Sequence, residues 1–217
     1  MEEYKNIRIT FSKGERVKYI SHLDLNRAFQ RSIKRSGLPA YYTQGFNPHI
    51  ELVFSPPLSV GYTSDCEIAD FRIKEGISGK DIIERLNKAL PAGFKVISAA
   101  EPVEKISKIF YAKYLVTVEG KADFSVFDNE EKILVIKKTK SSEKEIDLKE
   151  YISQIKAEYD GEKTAFEIVL PCQEGAINPA LIMGALSEKS SKEYDFSVKR
   201  LSFYNDCCLS KRLEAFR

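Results

Sequence analysis

The sequence lacks most features by which membrane proteins and common enzymes are recognised. It has neither a secretory signal nor an apolar run of about 18 residues, so we expect a cytoplasmic protein without a membrane segment. Its four cysteines, Cys66, Cys172, Cys207 and Cys208, form no C-x-x-C pair. This argues against a zinc ribbon, a disulfide framework and an iron–sulfur cluster within the chain. Walker A, G-x-G-x-x-G, G-x-S-x-G and H-E-x-x-H motifs are absent as well.

Charge is unevenly distributed along a chain that is nearly neutral overall, with 34 Lys/Arg and 32 Asp/Glu. Residues 1–50 contain nine Lys/Arg and four Asp/Glu, a net of 9 − 4 = +5. The other residues contain 25 and 28, a net of 25 − 28 = −3. A basic N-terminal portion is typical either of a solvated surface or of a surface that contacts phosphates.

The pattern that follows Ile20 predicts a capped amphipathic helix. Ser21 is placed as the N-cap with Asp24 three residues later, and Gly37 with Pro39 should end the helix near Ser36. At 100° per residue, Leu25, Ala28, Phe29, Ser32 and Ile33 share one face. The opposite face is cationic and consists of Arg27, Arg31, Lys34 and Arg35. We interpret that face either as a solvated surface or as a phosphate-contacting one.

The loop after this helix, residues 43–49, is rich in turn-forming residues. Gly45 permits a positive φ or close approach of a ligand, and Pro48 disfavours helix at Asn47. Phe46 either plugs the core or stacks on a flat group. The loop ends in His49, the second of the two histidines. If His22 and His49 meet, then with Asp24, Cys66 or Glu67 they would form an acid–base or metal cluster. Their spacing matches no recognised metal signature, and we predict no metal site.

The element order predicts an α+β protein with two domains. Residues 1–103 follow β-α-β-β-α-β, the order of a ferredoxin-like domain. The predicted strands there are 5–12, 50–54, 66–73 and 94–100, with an extended piece at 16–20 and a second helix at 80–90. Residues 104–217 are predicted as a strand-rich α+β domain. Its strands are 111–119, 122–127, 132–138, 151–159, 164–170 and 196–203, with a flexible loop at 139–149 and a helix from Asn178-Pro179 to about 189.

A set of motifs in the first third of the chain resembles the radical-SAM-linked protein family. The matching residues are Tyr19-Ile20-Ser21-His22-Leu23-Asp24-Leu25, Arg27, Arg31, Leu38-Pro39, Gly45-Phe46-Asn47-Pro48-His49, Pro57-Leu58, Gly61, Ser64 and Glu67. The resemblance is specific over residues 4–75. The sequence departs from the family pattern after the loop histidine, where Ile50 and Glu51 replace the usual Pro and basic residue.

The resemblance implies a partner and no cofactor in this chain. Members of the family are uncharacterised bacterial proteins encoded beside, or fused behind, a B12-binding-type radical SAM protein, often near ribonuclease and ribosomal-protein genes. The chain has no C-x-x-x-C-x-x-C motif, so the radical chemistry would belong to that partner.

Three functions remain open from the sequence. In the first, the protein is a non-catalytic module that presents RNA, or a ribosomal component, to a radical SAM enzyme. Arg27, Arg31, Lys34 and Arg35 would then contact phosphates, and His22, Gly45, Phe46, Asn47 and His49 the bases or sugars. In the second, His22, Asp24, His49 and Glu67 form a small active site. In the third, the motif shapes a surface for a protein partner.

Overall fold

The computed structural model describes residues 3–138 and 143–205, which cluster into two compact units. The first comprises the described residues up to Ile109 together with 202–205, and the second is Phe110–Leu201. Contacts therefore divide the chain after Ile109. The limits 1–103 and 104–217 stay a prediction about independently folding domains. Among the described residues, no helix combines the length and apolar composition needed to cross a bilayer.

The first unit alternates strands and helices in the predicted order. Its elements are β1 (Tyr4–Lys13), α1 (His22–Arg35), β2 (Val53–Phe54), β3 (Thr63–Lys74), α2 (Gly79–Ala89) and β4 (Phe94–Ala100). The strand order is β4-β1-β3-β2, and each of the three pairings is antiparallel. The predicted α+β class is confirmed. Assignment to the ferredoxin-like class stays a prediction, since β2 is only two residues long.

Two segments of the first unit differ from prediction. The piece predicted as extended at 16–20 begins with a 3-10 helix, Glu15–Val17. The strand predicted at 50–54 is reduced to β2, because the segment before it pairs with its own loop: Tyr42 bridges Ile50, and the Thr43 N–H donates to the His49 carbonyl at 2.9 Å. Backbone groups satisfied inside the loop are no longer available to the sheet.

The core of the first unit lies between the sheet and the two helices. Alternation in β1 directs Ile7, Ile9 and Phe11 to one face, and Phe29 of α1 packs on Phe11 with ring centroids 4.4 Å apart. Leu86 of α2 is fully buried in the same cluster. Burial of each such side chain contributes about 1.5–3 kcal/mol, which fixes both helices on the sheet.

The second unit is strand-rich, as predicted. It contains β5 (Tyr111–Glu119), β6 (Leu134–Lys138), β7 (Glu143–Asp147), α3 (Lys149–Ile152), β8 (Glu158–Tyr159), β9 (Lys163–Pro171), α4 (Pro179–Ser190) and the part of β10 (Phe196–Tyr204) up to Leu201. Its strands follow the order β10-β5-β9-β8, and β6 pairs with β7 as a separate hairpin. Asn178 caps α4 by accepting from the Ala180 N–H, as its sequence pattern indicates.

Three predictions for the second unit are wrong, and hydrogen bonds to aspartate side chains explain two of them. The strand predicted at 122–127 is a 3-10 helix, Phe124–Phe127, because the Asp123 carboxylate accepts the Ser125 N–H. The segment predicted as a strand at 151–159 starts inside α3 and reaches extended structure only in β8. Asp147 accepts the N–H groups of Ile133 and Lys149, each at 2.9 Å, and so turns the chain into α3.

The Asp147 contacts also change its acidity. The N–H groups of Lys149 and then Ile133 stabilise the carboxylate and lower the pKa of Asp147 below its usual value. The third prediction, a flexible loop at 139–149, is wrong over 143–149, since Glu143–Asp147 forms a strand and Lys149 begins α3. Residues 139–142 of that loop lie outside the described residues, as do Cys207 and Cys208.

Candidate functional site

Helix α1 has the cap and the two faces that its sequence predicts. The Ser21 hydroxyl accepts from the Asp24 N–H at 3.1 Å and donates to the Asp24 carboxylate at 2.8 Å. Leu25, Phe29, Ser32 and Ile33 are buried, and the four predicted cationic residues are exposed. The first turn therefore fixes the helix start, while the buried stripe sets which residues face outward.

The four cations differ in how they are held. Arg27 lies 3.4 Å from the Asp24 carboxylate, a distance at which an exposed ion pair contributes little. Arg35 donates to the Ala89 carbonyl at 2.6 Å and so links α1 to the end of α2. In the part of the chain that the structure describes, no ion pair holds Arg31 or Lys34. These two are the cations most available to a ligand, and Arg27 lies on the same face.

The loop 43–49 is a closed turn whose base is fixed by hydrogen bonds. The His49 N–H donates to the Thr43 hydroxyl at 3.1 Å, and His49 Nδ1 lies 3.1 Å from both that hydroxyl and the Asn47 carbonyl. Gly45 has a φ of +136°, a conformation that residues with a Cβ rarely adopt. Phe46 has a relative exposure of 106%, so the interpretation that it plugs the core is wrong.

The two histidines belong to different surroundings. The His22 ring meets Phe54 edge to face, with centroids 5.5 Å apart. His49 makes its contacts inside its own loop. The structure brings His22 and Glu67 together around one small cavity, whereas the residues that line it include neither His49 nor Asp24. Asp24 is engaged in the helix cap and with Arg27.

Lys13 is the residue that sequence reasoning missed at this cavity. The alternation in β1 runs Ile7, Ile9, Phe11 and then Lys13, and Lys13 is 2% exposed. A bulge after Phe11 shifts the register there, and the Lys13 ammonium donates to the Lys18 carbonyl at 3.0 Å. The signal was available, because Lys13 continues a strict period of two, whereas the predicted strand, 5–12, ends one residue before it.

Glu67 ends the corresponding alternation in β3. It lies opposite Phe11, on the face that Ala69 and Phe71 continue, and it is 5% exposed. The Ser55 hydroxyl donates to its carboxylate at 3.2 Å and accepts from the Ile68 N–H at the same distance. At this end of the sheet, Lys13 of β1 and Glu67 of β3 thus occupy positions of the apolar alternation and line one cavity with Ser21 and His22.

The cavity between these side chains is small. Its volume is about 10 Å³, room for roughly one water molecule. Its wall is completed by Ile20, Ser21, Leu25, Phe54 and Leu58. A water molecule in this cavity can hydrate the buried polar groups, but a substrate does not fit without rearrangement of the side chains. Among the described residues, no group of three or more His, Cys, Asp or Glu is placed to hold a metal ion.

The Lys18 ammonium lies beside Tyr19, the exposed first residue of the motif that leads into α1. Glu15 lies 2.8 Å from the Lys18 ammonium, and this hydrogen bond raises the pKa of Lys18 above its usual value. The ammonium is 5.2 Å from the centre of the Tyr19 ring, which is 72% exposed. The segment before α1 therefore presents a cation beside an aromatic ring.

Of the comparisons with known proteins, one identifies a family, and none gives an activity. No curated protein matches the chain. One solved structure, titled "Crystal Structure of an Unknown Protein from Galdieria sulphuraria", is 14% identical, covers 91% of this chain and 99% of that one, and has a TM-score of 0.27. This identity and this TM-score are too low to support an inference about the present protein. A family model matches residues 6–179, and the chain therefore belongs to DUF2344, described as an uncharacterized protein conserved in bacteria.

Proposed function

We propose that this protein is a cytoplasmic, non-catalytic accessory module that binds RNA, or a ribosomal component, for modification by a radical SAM enzyme. The family resemblance supplies the enzyme partner, and the exposed cations of α1 supply the reason to expect RNA. The observation that carries the proposal is the availability of Arg31 and Lys34, which no ion pair holds among the described residues. Together with Arg27 they give phosphates a cationic face.

The loop 43–49 supports the same proposal. It presents Phe46, Asn47 and His49 on an exposed, hydrogen-bonded turn. Aromatic rings, amides and imidazoles are the groups with which proteins contact RNA bases and sugars. The enzyme alternative needs a pocket for a substrate, and the cavity at His22 and Glu67 holds about one water molecule. An exposed loop, together with a cavity too small for a substrate, favours a binding module over a small enzyme.

RNA binding is tested by fluorescence anisotropy at several salt concentrations. The wild type is expected to bind, with an affinity that falls as salt rises from about 50 to 200 mM. The triple variant Arg27→Gln, Arg31→Gln, Lys34→Gln should bind weakly and with a flatter salt dependence. The matched control neutralises three cations of α2, Lys80→Gln, Arg85→Gln and Lys88→Gln, and should keep wild-type binding.

The enzyme partnership needs a separate measurement. The protein is co-expressed with the radical SAM protein encoded nearest to its gene, and the pair is purified through a tag on one of them. Co-purification supports the partnership. RNA from cells that lack this protein should then lose a modified nucleoside seen by mass spectrometry, whereas an unchanged nucleoside profile would contradict the accessory function.

A further inference from the structure

The apex of loop 43–49 specifies the kind of RNA that the surface accepts. We propose that the bound RNA segment is unpaired and that one of its bases stacks on the Phe46 ring. This inference rests on the proposed function, because it presupposes that the cationic face of α1 binds RNA. It goes further by excluding double-stranded RNA as the ligand of the loop and by assigning recognition of the base face to one residue.

The loop holds Phe46 out in a defined position before any ligand arrives. The Tyr42–Ile50 bridge and the Thr43–His49 hydrogen bonds close its base, and Gly45 takes a backbone conformation that other residues resist. A ring presented by a braced turn loses little conformational freedom on binding. The loop thus has the properties of a preformed stacking platform and not those of a flexible linker.

The exposure of Phe46 fits a flat apolar ligand. The ring is fully exposed at 106%, and Gln44, Gly45, Asn47 and Pro48 around it are exposed as well. No acidic residue lies between Thr43 and His49, so nothing in the loop sequence repels a phosphate backbone. The amides of Gln44 and Asn47 flank the ring in the chain and offer donors and acceptors to the edges of a base.

The secondary structure of RNA decides which bases can reach such a ring. In an A-form helix both faces of each base are covered by neighbours, and the major groove is too deep and narrow for side chains to enter. Unpaired bases in loops, bulges and single strands can be splayed out onto aromatic rings. Phosphate contacts of α1 tolerate either form, so the discrimination comes from the loop.

Single exposed apolar residues are common on protein surfaces and need no explanation. Phe46 is distinguished by the combination of complete exposure, a braced base and a glycine with positive φ immediately before it. A protein partner that accepts the ring in an apolar pocket is the competing explanation. The experiment below separates these two, because only the RNA explanation depends on base pairing.

The absence of tryptophan from the chain makes a direct probe possible. Phe46→Trp introduces one indole, which is excited at the long-wavelength edge of its absorption, where the 11 tyrosines contribute little. Its fluorescence then reports stacking at this position. Titration with a short single-stranded RNA should quench this fluorescence at wild-type affinity, while a duplex containing the same strand should leave it unchanged. Phe46→Leu keeps an apolar side chain without a ring, and should weaken single-strand binding by about 5- to 150-fold. Its duplex affinity should stay as in the wild type.

The matched control is Phe110→Leu, the same substitution at a half-exposed ring in the second unit. It should bind single strands like the wild type. Circular dichroism of all variants checks that the fold is intact, which is expected because the Phe46 side chain has no packing to lose.

Three results would overturn the inference, and they differ from failure of the proposed function. If RNA binding depends on α1 but Phe46→Leu binds single strands normally, the ring does not stack. If the duplex quenches the indole as strongly as the single strand, the loop does not select unpaired bases. If Phe46→Leu abolishes co-purification of a protein partner and leaves RNA affinity intact, the ring serves that partner. Absence of any RNA binding by the wild type at low salt defeats the proposed function itself.

Discussion

Helices α1 and α2 have the same cap but different exposed surfaces. Ser21 and Ser78 each accept an N–H from the aspartate three residues later at 3.1 Å, and donate to its carboxylate at 2.8 Å and 2.7 Å. Both helices bury an apolar stripe in the core of the first unit. Helix α1 has four cations and one acid, 4 − 1 = +3, whereas α2 has three and two, 3 − 2 = +1.

The arrangement of charge differs more than its sum. In α2 the Lys88 ammonium lies 2.7 Å from the Glu84 carboxylate, an i,i+4 pair that neutralises both. In α1 the acid is at the capping end, and the cations continue for about three turns beyond it. Shared features therefore reflect what any helix on this sheet needs. The unshared feature, the cationic face of α1, is where a binding function is to be sought.

Removal of a core ring should have the largest effect and should show that the two helices are equally structural. Phe29→Ala in α1 is expected to lower the free energy of unfolding by about 3–5 kcal/mol, because the fully buried ring leaves a cavity. Leu86→Ala in α2 should cost about 2–5 kcal/mol for the same reason. Urea unfolding followed by circular dichroism measures both. A negligible loss for Phe29→Ala would mean that α1 is not packed as described.

Neutralising the exposed cations should separate the two helices. The α1 triple variant Arg27→Gln, Arg31→Gln, Lys34→Gln should reduce the log–log salt slope for a single strand by about 2, roughly 0.7 per phosphate contact. The α2 triple variant removes as many charges and should leave the slope unchanged. Equal losses in both variants would show that binding depends only on net charge, and the contrast between the helices would have no functional meaning.

The caps should behave alike. Ser21→Ala and Ser78→Ala each remove an acceptor for a backbone N–H at a helix start, at an expected cost of about 1 kcal/mol. Thermal unfolding of the two variants provides the measurement. A much larger loss for Ser21→Ala would indicate that its hydroxyl also supports the cavity that it lines beside Lys13 and Glu67.

Surface ion pairs should matter least. A double-mutant cycle on Glu84 and Lys88 is expected to give a coupling of about 0.3–0.5 kcal/mol, since both side chains are exposed. The same cycle on Asp24 and Arg27, 3.4 Å apart, should give no more. A coupling above about 1 kcal/mol for Asp24 and Arg27 would exceed the usual range for exposed pairs. It would also mean that Arg27 is less available to RNA than its exposure indicates.

Features set by neighbouring residues were the easiest to predict. The starts of α1, α2 and α4 follow from Ser21, Ser78 and Asn178, whose side chains bond backbone groups two or three residues away. The strands β4 and β5 lie where their alternation placed them. The short-range aspartate turns were missed, because the bonds of Asp123 to Ser125 and of Asp147 to Lys149 fall in segments whose alternation or charge also fits other structure.

The site depends on long-range contacts, and sequence reasoning captured only part of it. His22 and Glu67, 45 positions apart, line one cavity because β3 runs beneath the start of α1. His49 shares the motif but is held in its own loop by Thr43 and Asn47. The sequence shows that a charged residue continues an apolar alternation. Whether that residue is buried, as Lys13 is, depends on partners distant in sequence.

The burial of Lys13 makes its reaction rate with an acylating reagent a measure of local opening in the first unit. An amine must reach solvent to be acylated, and this one is 2% exposed and bonded to the Lys18 carbonyl. Its labelling rate therefore reports how often this end of the sheet opens. Exposed lysines such as Lys34 and Lys88 react without that delay and provide the reference. Mass spectrometry of a labelling time course would thus measure local opening of the fold at one natural side chain, without a substitution in the sequence.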